Sequence, residues 1–227
     1  MVPSTSTASR AAEIEPAVRS LVGELDAERE TLADTIVERI RDAIPSFTTL
    51  PRATLRAAVT DTLNRELAAL REVRAPTPLE LEGSAAIGRE RAEQGLTLDA
   101  ALHAHRVAVG VVWTRFGELA RERGADVGCV LAFSETLWRW ADAVMDVVAA
   151  AHRAVEIEKA KEEQQRRDAF VLAVLTGSVD AAELRRDSAA HGVDPEREYF
   201  PFRARALYVH PNTMRHRLRR LDRKSVV

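Results

Sequence analysis

Apolar residues recur along this chain at three- and four-residue steps, the spacing that builds one buried face on an α-helix. Ile14, Val18, Leu21, Val22, Leu25, Leu32, Ile36 and Ile40 form a single stripe over about residues 13–44, stopped by Pro45. Leu55, Val59, Leu63, Leu67 and Leu70 form a second, opening near Pro51 or Arg52 and ending at Pro76 and Pro78. A third helix is predicted over 79–94, closed by Gly95. Thr97 stands where a helix cap belongs, and Leu98, Leu102, Val109, Val112, Phe116 and Leu119 mark the face of the helix that follows, which Gly124 ends. A long helix begins near Val127. Its apolar pattern passes through Val130, Leu131, Leu137, Trp138, Ala141, Val144, Met145, Val148 and Val155, and no Pro or Gly interrupts it from Val130 to Phe170. At ~1.5 Å per residue it spans about 60 Å.

The second half of that helix, EIEKAKEEQQRRD, is too polar for a core. It is expected to be a solvated connector, with a short parallel dimer seam as the alternative. Further short helices are predicted over 168–175, before Gly177, and 180–191, before Gly192. REYFPFRAR has no helical period, and 204–223 is helical again with a break near His210-Pro211. Residues 1–12 are Ser/Thr-rich and aperiodic, a disordered start. No repeat of fixed period emerges, and the predicted fold class is all-α.

Composition adds that the chain is a soluble protein able to bury a core: 46% of its 227 residues are hydrophobic and 30% charged. Cys129 is the single cysteine, which excludes a disulfide within the chain and reads as a buried apolar thiol in a reducing compartment. The N-terminus, MVPSTSTASRAAEIEP, lacks the basic flank and apolar run of a signal peptide, and no stretch reaches about 18 uncharged apolar residues. A cytoplasmic protein with no membrane partner is expected. The net charge of −2 gives no overall attraction to nucleic acid, but the C-terminus differs. Arg203, Arg205, Arg215, Arg217, Arg219, Arg220, Arg223 and Lys224 are opposed there by Asp222 alone.

Within that segment Pro211 suits the first turn of a helix, and Met214, Leu218 and Leu221 share one narrow apolar face. The other side presents Asn212, Arg215, His216, Arg219 and Arg220, with Thr213 at its margin. Asn can pair with adenine and Arg with guanine, while further guanidinium groups hold phosphates, so this is a candidate DNA-reading face. The plainer alternative is a basic, solvated amphipathic helix with no nucleic-acid partner.

Other chemistry has little support. His103 and His105 lie two positions apart on a helix and point about 200° away from each other, which argues against a shared metal ion and for hydrogen-bonded helix histidines. Trp113, Trp138 and Trp140 at helical spacing read as core rather than as the lining of a ligand pocket. No Gly-rich phosphate loop, paired-Cys motif or His-Glu metal motif occurs, and Cys129 has no basic residue within a helical turn to activate it. Neither an enzyme nor a cofactor is expected.

Three stretches resemble known regulators. LYVHPNTMRHRLRRL is similar to the turn and recognition helix that end PucR- and CdaR-type transcriptional regulators, with Asn212, Thr213, Arg215, Arg217, Leu218 and Arg220 matching that pattern. GRERAEQGLTLDAALHAHRVAVGVVW, residues 88–113, resembles the N-terminal helical domain shared by many such regulators and by RsbR-type co-antagonists of stress-response assemblies. That likeness implies a globin-like helical bundle without haem over 13–155, with a sensing or dimerising role. RRDAFVLAVLTGSVDAAELRRDSAAHGVDPEREY looks like the entry to the degenerate GGDEF-like middle domain of the same regulators.

After Tyr199 the expected α/β domain is missing, together with the first helices of the DNA-binding unit. The resemblance therefore implies a connector and middle-domain remnant over 156–200 and a partial helix-turn-helix over 201–227. A helix-turn-helix needs partner helices to cover its recognition helix, so a truncated unit is weakened. The expected function is a homodimeric, DNA-binding regulator responding to a small-molecule effector. The alternative is a helical protein-interaction module without autonomous DNA binding.

Overall fold

The periodic segments fold as helices throughout the computed structural model, which describes residues 5–176 and Ser178. In chain order they are α1 (Thr5–Ala27), α2 (Arg29–Ala43), a short 3-10 turn (Pro45–Thr49), α3 (Arg52–Arg71), α4 (Pro78–Glu93), α5 (Leu98–Glu122) and α6 (Val127–Thr176). No strand occurs among the described residues, so the predicted all-α class holds. Residues up to Lys161 form one compact unit and those from Glu162 onward a second. Of the second unit the structure describes mainly the last turns of α6, exposed at every position over 162–169 and buried at Phe170. The helices predicted over 180–191 and 204–223, the REYFPFRAR stretch and the partial helix-turn-helix lie outside the described residues.

The single stripe predicted over 13–44 is two helices, broken at Glu28. Neither Gly nor Pro marks the break. Apolar positions are instead thin between Leu25 and Leu32, where DAERE intervenes, and Arg115 of α5 holds both Glu28 carboxylate oxygens at 2.7 Å. α1 starts at Thr5, inside the segment read as an aperiodic start. The second helix stops at Arg71, before Pro76, and the helix predicted over 168–175 is simply the end of α6.

Three helix ends share one turn, in which the chain closes two hydrogen bonds back onto the last helical carbonyls. Gly95 and Leu96 donate to Ala92 and Arg91, Gly124 and Ala125 to Arg121 and Ala120, and Val73 and Arg74 to Leu70 and Ala69. The turn needs a left-handed residue: Gly95 has φ +78°, Gly124 φ +62° and Val73 φ +52°. For a β-branched residue that conformation costs on the order of 1–2 kcal/mol, and partial packing of Val73 against the core works against it. α4 opens with a capping box: the Thr77 hydroxyl accepts from the Glu80 N–H while the Glu80 carboxylate accepts the Thr77 N–H at 2.7 Å.

The main core takes Val18, Leu21, Val22 and Leu25 from α1, Leu32, Ile36 and Ile40 from α2, and the whole predicted face of α3. α5 adds Val109, Val112, Phe116 and Leu119, and α6 adds Cys129, Phe133, Leu137 and Ala141. Phe116 and Phe133 stack with ring centroids 3.5 Å apart, and Trp113 also stacks with Phe133. A second cluster joins Ala69, Trp140, Val144 and Val148. Trp138, expected in the core, is exposed, as is Leu131 of the same helix.

α4 and α6 meet closely at Gly88, where an added Cβ would lie 2.6 Å from the Val148 carbonyl oxygen. Backbone cannot swing aside as a side chain can. Gly88→Ala is therefore expected to lower stability by about 1–3 kcal/mol, the usual cost of overpacking, with denaturant unfolding as the measurement. A variant as stable as the parent would show that the two helices separate freely at this point.

Candidate functional site

The first unit holds a cavity of about 80 Å³, walled by α2, the 3-10 turn, α3, α4, α5 and α6. The sequence leaves this space open through residue size. Ala101, Ala104 and Ala108 fall on one face of α5, at i, i+3 and i+7, and Ala58 faces them from α3. Larger aliphatic groups close the remaining sides: Ile36 and Ile40 from α2, Leu55, Val59 and Leu63 from α3, and Val144 and Val148 from α6.

Five polar residues interrupt this apolar lining. Glu66 continues the inward face of α3 after Val59 and Leu63, and only 1% of its surface is exposed. Its Oε1 is buried with no hydrogen-bond partner in the protein. Burial alone pushes its carboxyl up to about 7, so the acid is largely protonated through the mildly acidic range. His105, on α5 beside Ala104, has a buried Nε2 that also lacks a partner. Burial pushes it down to about 4, partly opposed by the Ala141 backbone and reinforced by Arg106, so the ring is neutral near pH 7.

Arg91 of α4 supplies the lining's permanent charge and is 3% exposed. Its Nη1 donates to Gln94 Oε1 at 2.7 Å and lies 3.4 Å from Glu90 Oε1, and its guanidinium sits 6.0 Å from the Phe47 ring centroid. Burial lowers its pKa and Glu90 acts against that shift. Ser84 donates back to the Glu80 carbonyl and Thr62 to the Ala58 carbonyl, so both hydroxyl protons are held by their own helices. The two polar groups on this wall with unmet hydrogen-bonding capacity are Glu66 and His105.

α6 is fastened next to the cavity by two polar contacts as well as by Val144 and Val148. His152 is fully buried and its Nε2 lies 2.8 Å from the Leu96 carbonyl oxygen. Lys159 donates to the Ala92 carbonyl oxygen at 2.7 Å. Ala92 lies in the last turn of α4 and Leu96 in the turn that follows it, so the helix that walls the cavity is tied to the junction between two other walls.

Several sequence expectations meet this geometry. His105 interacts with the Ala141 backbone through a hydrogen bond, in keeping with the hydrogen-bonded helix histidine expected, although its Nε2 is among the buried atoms without a close partner, and His103 does not line the cavity. None of the three tryptophans lines it either. Trp140 is fully buried behind Val144 and Val148, Trp113 packs on Phe133, and Trp138 is half-exposed on α6. Cys129 is buried in the core as expected, its thiol pushed up by burial and by Asp126. The candidate DNA-reading residues Asn212, Thr213, Arg215, His216, Arg219 and Arg220 lie outside the described residues. Glu66 carried no sequence signal except an acid on the face set by Val59, Leu63 and Leu70. Among the described residues, no group of three His, Cys, Asp or Glu side chains forms a metal site, and no helix is long and apolar enough to cross a membrane.

Comparison with known proteins agrees with the reading of residues 88–113. The family model of the RsbT co-antagonist protein rsbRD N-terminal domain matches residues 30–167. That span begins at the first turn of α2 and runs into the polar half of α6; α1 precedes it yet contributes to the same core. No curated protein and no solved structure matches the chain. With well over half of its length matched, and the matched helices walling the cavity, the chain belongs to the family of the RsbT co-antagonist protein rsbRD N-terminal domain.

Proposed function

We propose that this protein is a cytoplasmic, non-enzymatic transcriptional regulator of the PucR kind, in which the helical domain senses an effector and dimerises and the basic C-terminus engages DNA. What carries this reading is the pairing, on one chain, of an RsbRD-type helical domain at 30–167 with the arginine-rich segment from Arg203 to Lys224. α6 supports it as the transmitting element. It contributes Val144 and Val148 to the cavity wall and continues as a helix through an exposed, charged stretch. Asn212, Thr213, Arg215, His216, Arg219 and Arg220 are the proposed DNA contacts. The GGDEF-like remnant and partial helix-turn-helix belong to the same proposal.

Dimerisation is assigned to α6, where Val127, Leu131 and Trp138 are 70%, 64% and 51% exposed. Steps of four and seven residues place all three on one face of the helix. A homodimer at micromolar concentration is expected in sedimentation, with Trp138→Asp shifting it to monomer. A monomeric parent chain would contradict the assignment.

The matched family favours a second reading, a docking module for protein partners that has no DNA-binding activity of its own. Its description names an RsbT co-antagonist protein, and its span ends before the basic segment. A DNA titration at about 50 and 200 mM salt separates the two readings. The regulator binds more weakly as salt rises, and Arg215→Ala and Arg219→Ala each weaken binding and lower the salt slope by about 1. A chain that fails to bind DNA even at low salt leaves only the docking module.

A further inference from the structure

We propose that the cavity bounded by Glu66, Arg91, Ala104 and His105 is a binding site for a small, uncharged, mostly apolar molecule whose single hydroxyl-type head satisfies Glu66 and His105. The inference gives the sensing role its ligand class, and it rests on that role only for its biological meaning. The lining is apolar apart from a few polar groups, which selects an apolar body. Glu66 is 1% exposed, and its Oε1 and the Nε2 of His105 are buried without protein partners. Unsatisfied polar atoms in a buried wall are costly, so a molecule that both donates and accepts is favoured over a pure hydrocarbon.

Charge narrows the choice further. The buried cation Arg91 disfavours a cationic guest or a metal ion. It does not demand an anion, because Gln94 and Glu90 already engage its guanidinium from the same turn of α4. A protonated Glu66 donates and a neutral His105 offers a ring nitrogen, and one hydroxyl group complements both. A dry apolar cavity of ~150 Å³ accommodates benzene, so this space suits about three or four non-hydrogen atoms. Such a small guest binds with a dissociation constant of about millimolar.

The test is titration of the full chain with 1-propanol, followed by two-dimensional NMR, with propionate as the charged comparator of equal length. The expected result is saturable shifts centred on Glu66, Ala104, His105 and Val144, a dissociation constant of about 1 mM, and at least tenfold weaker binding in Glu66→Met. Ala104→Leu, which fills the space from the α5 wall, is expected to abolish the shifts, so the test does not hang on one variant. Three outcomes overturn the proposal: linear, unsaturated shifts spread over the surface; propionate binding more tightly than 1-propanol; or unchanged affinity in Glu66→Met. The readout involves no DNA, so its failure and failure of the regulator reading are separate results.

Discussion

Replacing Phe133 by alanine is expected to lower the free energy of unfolding by about 3–5 kcal/mol, the range for truncating a fully buried aromatic side chain. Phe133 has no exposed surface, stacks face to face on Phe116 of α5 and also stacks with Trp113 of the same helix. Removing it leaves two large rings without a partner and opens a void that the surrounding helices can only partly close. Small domains have about 5–15 kcal/mol in total, so the loss is a large share of the whole. Urea unfolding followed by tryptophan fluorescence measures it. A change below 1 kcal/mol would mean that α6 does not seal the core through this residue.

The second large effect concerns Glu66, and its sign depends on pH. Burial raises this carboxyl from 4.5 to about 7, so between those values the folded state holds a proton that the unfolded state has released. Stability from this residue alone therefore falls as pH rises from 4.5 to 7 and is level above. At about 1.4 kcal/mol per unit, the full loss is on the order of 3 kcal/mol. Glu66→Met is accordingly expected to be more stable than the parent by about 2–4 kcal/mol at pH 8, with the gain shrinking towards pH 4.5.

His105 has the opposite slope. Its folded pKa is lowered from 6.5 to about 4, so the unfolded state binds the extra proton in that interval and stability rises with pH across it. The two contributions oppose each other between pH 4.5 and 6.5, and the parent chain should look nearly flat there. Glu66→Met uncovers the rising limb, whereas His105→Phe uncovers the falling one. Glu24, Glu28 and Asp34 are held below their ordinary values by Arg123, Arg115 and Arg56, so their contributions are lost only at lower pH. Unfolding curves at half-unit pH steps for the three proteins test the pattern. Identical pH profiles would show that neither residue is buried as described.

The helical class and most of the core were legible because burial follows a 3.6-residue period. Every apolar position predicted on α3 is buried, as are Val109, Val112, Phe116 and Leu119 on α5. The end of α3 was missed because Val73 occupies the left-handed position that glycine usually signals. The break at Glu28 was missed because a long-range ion pair to Arg115, rather than a local breaker, meets the chain there. Thr77 and Glu80 did carry a local signature, the S/T-x-x-E spacing just before an apolar run.

The cavity was not legible, for a different reason. Periodicity announces where large side chains cluster, and this space exists where α5 carries alanine in place of a larger residue. Leu131 and Trp138 show the converse limit, since an apolar stripe wider than the available core leaves part of itself exposed. The tryptophans read as core from their spacing, and none of them lines the cavity. The polar lining instead came from an acid, an arginine and a histidine on three different helices, brought together by tertiary packing alone.

The state of Glu66 is the most direct check on the candidate site, and its side-chain carboxyl can be followed by carbon-13 NMR from pH 3 to 9. A buried, unpaired acid in the cavity wall titrates with a midpoint near 7. A midpoint near the ordinary 4.5 would mean that water or a cation reaches the carboxylate freely, and the buried acid described in the wall between α3, α4, α5 and α6 would not exist in solution.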